Sequence, residues 1–76
     1  MDTKKTGAYL AALRKARGMT QQEAADQLGV SNKTVSKWEN GAGLPDITVL
    51  PALAELYGVT ADDILAGETL RGRPAE

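Results

Sequence analysis

The chain has 76 residues, nine basic and ten acidic, with no histidine and no cysteine. That length leaves room for one core, and the missing residue types exclude disulfides, the usual zinc sites and His- or Cys-based catalysis. The net charge of −1 hides a polarity: residues 1–41 carry seven bases and four acids, a net +3, and residues 42–76 two bases and six acids, a net −4.

Helical signals recur along the chain and strand signals do not. The first segment is expected over residues 6–17, with Leu10 and Leu13 at helical spacing and Gly18 as the stop. The second opens on a capping box, in which Thr20 and Glu23 satisfy each other's main-chain N–H groups. Ala24, Ala25 and Leu28 form its apolar face, and Gly29 ends it. The third begins at once on Ser31 as N-cap, with Val30 and Val35 at staple spacing, and closes at Asn40-Gly41. A loop follows over residues 41–46. The fourth helix is expected over residues 48–57, with Leu50, Leu53, Ala54 and Tyr57 inward. Its opening at residues 47–50 should be irregular, since Pro51 fits only a first turn. Thr60 caps a short fifth helix through about residue 66, where Asp62 and Asp63 complement the helix dipole.

The expected fold is therefore all-α, a compact five-helix bundle over residues 1–66, with residues 67–76 as a flexible tail or linker. No stretch approaches the ~20 apolar residues of a membrane span, and no apolar run follows residues 1–6 as a signal peptide requires. A soluble chain is expected, and the absence of cysteine fits a reducing cytoplasm.

Helices two and three are joined too tightly to lie antiparallel. Ala25 supplies a small residue at the crossing and Gly29 the turn, the layout of a helix-turn-helix unit whose second helix enters the DNA major groove. The outward face of that helix is informative. At about 100° per residue, Asn32, Ser36, Asn40, Lys33 and Lys37 fall within one arc of roughly 140°. Val35 and Trp38 lie opposite, so Trp38 is expected in the core and not against a base. The arc holds no acid, which suits an approach to phosphates. Asn pairs with adenine, and Lys donates to guanine or to a phosphate. Gln21 opens helix two, where outward main-chain N–H groups suit a phosphate.

These motifs resemble the lambda-repressor/Cro type of helix-turn-helix domain, the XRE family; lambda repressor is itself a standard example of this docking. The resemblance rests on Arg14-Lys15-Ala16-Arg17-Gly18-Met19-Thr20-Gln21-Gln22-Glu23-Ala24-Ala25 and on Val30-Ser31-Asn32-Lys33-Thr34-Val35-Ser36-Lys37-Trp38-Glu39-Asn40-Gly41. Leu44-Pro45-Asp46 and the run from Leu56 to Leu65 resemble the closing helices, and Ala24 stands where the family usually has leucine. The resemblance implies sequence-specific binding of a double-stranded operator, commonly as a homodimer, by a transcriptional regulator, more often a repressor. It carries Gln21, Asn32, Lys33 and Lys37 over as base- or groove-facing, and Thr20, Ser31, Ser36 and Asn40 as phosphate contacts. It also implies an ion pair between Arg14 and Glu39.

Each of these side chains taken singly is more often a solvated or capping residue; the turn and the family resemblance together favour DNA. The competing reading is a protein–protein interaction module of antitoxin or adaptor type, supported by the acidic C-terminal half. An enzyme is not expected, because no catalytic set can be assembled without histidine, cysteine or a phosphate-cradling glycine loop. No cofactor, metal or small-molecule ligand is implied.

Overall fold

The computed structural model describes residues 2–70. Among them it has five helices and no strand: α1 Thr3–Ala16, α2 Gln21–Leu28, α3 Asn32–Glu39, α4 Leu50–Tyr57 and α5 Ala61–Ala66. α1 starts three residues before its expected position. The carboxylate of Asp2 accepts from the N–H groups of Lys4 and Lys5 at 3.0 and 3.1 Å, capping a turn that carries no apolar periodicity.

The remaining caps follow local chemistry. Thr20 and Glu23 form the expected capping box, and Thr60 with Asp63 forms a second one at α5. Ser31 accepts the Thr34 N–H at 3.2 Å. Gly29 takes φ 72°, a conformation side-chain-bearing residues resist, and this lets the chain turn so that α3 starts three residues later. α4 opens irregularly, as expected. Residues 47–49 form a turn, no side chain caps the helix, and Pro51 sits in the first turn where its missing N–H costs nothing.

One core joins all five helices. It comprises Leu10 of α1, Ala25 of α2, Val35 and Trp38 of α3, Leu50, Leu53 and Tyr57 of α4, and Ile64 of α5. α3 lies between α1 and α2, while α5 closes against α1 and α4. The buried Thr6 hydroxyl donates to the Ile64 carbonyl at 3.0 Å, pinning α1 to α5 without leaving a buried polar atom unpaired. At Gly7, α1 meets the end of α3 so closely that a Cβ would clash with the Trp38 carbonyl and press on that of Glu39.

The residues after α5 are held as far as they are described. The Leu70 N–H donates to Asp63 at 2.8 Å, the Tyr9 and Thr69 hydroxyls lie 2.9 Å apart, and Lys5 pairs loosely with Glu68 at 3.8 Å. Residues 71–76 of the expected tail lie outside the described residues.

Candidate nucleic-acid interface

The outward face of α3 is built by what its inward face buries. Val35 and Trp38 are 2% and 6% exposed, so burial fixes the rotation of the helix about its axis. Lys33, Lys37 and Asn40 consequently stand exposed, and Asn32 and Ser36 half-buried, on the opposite side. Asn40, the C-cap residue, reaches Ser36 through a long 3.4 Å hydrogen bond. Among the described residues neither Lys33 nor Lys37 has an acidic partner. The Lys37 stem runs beside Gly43 of the following loop. The face thus presents two uncompensated ammonium groups among neutral donors and acceptors. Such a surface attracts a polyanion and can still hydrogen-bond base edges.

Ser31 and Thr20 are tied up first as caps. The Ser31 hydroxyl accepts the Thr34 N–H and lies 2.9 Å from the Thr34 hydroxyl, and the Thr20 hydroxyl accepts the Glu23 N–H of its own capping box. Both hydroxyls remain exposed at helix starts.

Behind the arc lies a charged clamp. Arg14 Nε donates to Glu39 Oε2 at 2.7 Å, Arg14 Nη2 to Glu39 Oε1 at 3.0 Å, and Arg14 Nη1 to the Met19 carbonyl at 2.8 Å. The two side chains are only 11% and 6% exposed. The bonds to Glu39 raise the Arg14 pKa above its ordinary value, outweighing the opposite effect of burial. Burial, aided by the Glu39 charge and opposed by that of Arg14, raises the pKa of the nearby Tyr57 phenol. One member of the cluster goes beyond the sequence reading: Gln21 Nε2 donates to Glu39 Oε1 at 2.9 Å. Gln21 is thus drawn to the end of α3 and held there, across 18 residues of chain, by a contact that no local pattern signals.

Residues 10–64 match the helix-turn-helix family HTH_3. The chain is 41% identical over 61 residues to the HTH-type transcriptional activator BcrR of Enterococcus faecalis, covering 80% of this chain and 30% of that one. It is 36% identical over 55 residues to the cryptic phage CTXphi transcriptional repressor RstR of Vibrio cholerae, covering 72% and 49%. The chain therefore spans about a third to a half of the length of these relatives. Among solved structures, the restriction-modification controller protein C.AhdI of Aeromonas hydrophila superposes with a TM-score of 0.76 at 25% identity, covering 83% of this chain and 96% of that one. The three proteins just named are a transcriptional activator, a transcriptional repressor and a restriction-modification controller. With motifs, fold and family match in agreement, the chain belongs to the XRE-type helix-turn-helix family that its sequence resembles.

Proposed function

We propose that this chain is the operator-binding domain of a cytoplasmic transcriptional regulator, with α3 lying in the major groove of double-stranded DNA. The observation that carries this reading is the acid-free outward arc of α3, where Lys33 and Lys37 have no acidic partner among the described residues and lie opposite the buried Val35 and Trp38. Asn32, Lys33 and Lys37 face the groove, with Gln21 at the border of the arc, while Thr20, Ser31, Ser36 and Asn40 contact phosphates. A homodimer places two copies of α3 about 34 Å apart on a pseudo-palindrome. The relatives include both an activator and a repressor. Repression is the reading adopted, because occupying an operator excludes other proteins without any further contact.

Selection of the purified chain against a random duplex library at roughly 0.15 M salt tests the reading, since nonspecific binding is partly screened there. An enriched two-fold-symmetric motif is the expected result. No enrichment, with a protein partner retained after nuclease treatment, would instead establish an interaction module.

A further inference from the structure

The first full turn of α1 is wedged between the ends of two other helices. On one side Gly41, just after α3, lies so close to Lys4 that a Cβ there would sit 3.0 Å from the Lys4 Cα, and Gly7 meets the Trp38 and Glu39 carbonyls as tightly. On the other side a Cβ at buried Gly67, just after α5, would sit 3.1 Å from the Lys5 carbonyl carbon and from the Thr6 nitrogen. The Thr6 hydroxyl adds its bond to the Ile64 carbonyl on that side. Residues 4–7 thus meet both helix ends largely backbone to backbone, with little side chain between that could give way. Close packing of this kind transmits a displacement instead of absorbing it.

Residues 67–70 then run along α1 as a strap. Glu68 comes beside Lys5, and the Thr69 hydroxyl lies 2.9 Å from that of Tyr9, one helical turn further on. The Leu70 N–H donates to Asp63 Oδ1 at 2.8 Å. Asp63 is 1% exposed and its other oxygen accepts the Thr60 N–H, so the strap is anchored on a group already fixed within α5. The Lys5–Glu68 pair is half exposed and contributes little. The Tyr9–Thr69 and Asp63–Leu70 bonds hold the strap down.

We propose that residues 67–70 are a releasable strap. Laid along α1, they press its first turn against the end of α3; lifted, they loosen the Asn40–Gly41 end of the outward arc. With α3 as the operator-reading helix, a partner that draws the chain after Leu70 away from α1 lowers affinity for DNA. That last step rests on the operator reading above, whereas the coupling between strap and α3 does not.

The coupling is therefore read first in the free protein, by amide hydrogen exchange of wild type and a Thr69→Val/Leu70→Pro double variant. The two substitutions remove both strap bonds and leave Asp63, which also caps α5, in place. Exchange should quicken about 2- to 30-fold at Asn40, Gly41 and Ala42, whose N–H groups close α3 on the Ser36, Trp38 and Lys37 carbonyls. Ala24 and Ala25 of α2 should be unchanged. Quickening confined to residues 67–70 overturns the inference, and so does an equal rise in α2, which reports a loss of overall stability. Because coupling is reciprocal, the selected operator should slow exchange at Leu70 in wild type, and the variant should bind that operator more weakly by a similar factor. Unchanged Leu70 exchange on a bound operator contradicts a part for the strap in DNA binding. A wild type that selects no sequence overturns the operator reading alone, and the exchange rates in the free protein still decide the strap.

Discussion

Arg14 grips Glu39 through two nitrogens, at 2.7 and 3.0 Å, and so bolts α1 to the last residue of α3. The pair is nearly solvent-free, and each partner exists to compensate the other. Removing one strands a buried charge. Arg14→Ala or Glu39→Ala should therefore cost about 3–5 kcal/mol in urea unfolding. The double substitution should cost less than the two single losses combined. Strict additivity would show that the two charges act independently.

The close approach of α1 to α3 yields a contrast between two glycines. A Cβ at Gly7 meets main-chain carbonyls that cannot move aside, so Gly7→Ala should destabilise by about 1–3 kcal/mol. At Gly43 a Cβ would touch only the flexible Lys37 stem at 3.6 Å or more, and its φ is not positive. Gly43→Ala should be neutral or stabilising by up to about 1 kcal/mol, through the reduced entropy of the unfolded chain. Thermal melts of both variants check the ranking.

Ser31 and Asn32 are adjacent but have different tasks. Ser31→Ala removes the α3 cap and should cost about 1 kcal/mol of stability, with DNA affinity weakened on all sequences alike. Asn32→Ala leaves the cap intact and should relax preference at one base pair by about 1–3 kcal/mol. Titrating both variants against single-base-pair substitutions of the operator distinguishes these profiles.

The raised pKa of Tyr57 has a stability consequence with a definite sign. Its neutral form is favoured by folding, so the contribution is whole below the ordinary value of 10.0. It is lost as pH rises from there through the folded value, because the unfolded chain ionises first. Wild type should lose more stability than Tyr57→Phe between pH 9 and pH 11, by denaturant titration at each pH. Parallel losses would contradict the assignment.

What was legible in the sequence was local. Thr20 with Glu23, Ser31, Gly29 and Thr60 each announce a helix end within four residues, and the structure has those ends where they were expected. The burial of Trp38 followed from one helical wheel. The first turn of α1 was missed because Lys4 and Lys5 show no apolar periodicity, and Asp2 alone signals the start. The resemblance anticipated the Arg14–Glu39 pair across 25 residues, whereas no local rule does. The Gln21–Glu39 and Tyr9–Thr69 bonds were not legible, because only the packed arrangement of helices brings them together. The local signals therefore outlined the outward arc of α3, while the network behind it emerged from tertiary packing.

The operator-binding proposal requires the outward arc of α3 to meet DNA. Amide chemical-shift mapping of the isotopically labelled chain with its selected duplex tests it most directly. The largest changes are expected across residues 31–40 and at Thr20 and Gln21, with α5 little affected. Shifts concentrated in α4 and α5, with α3 unmoved, would contradict it.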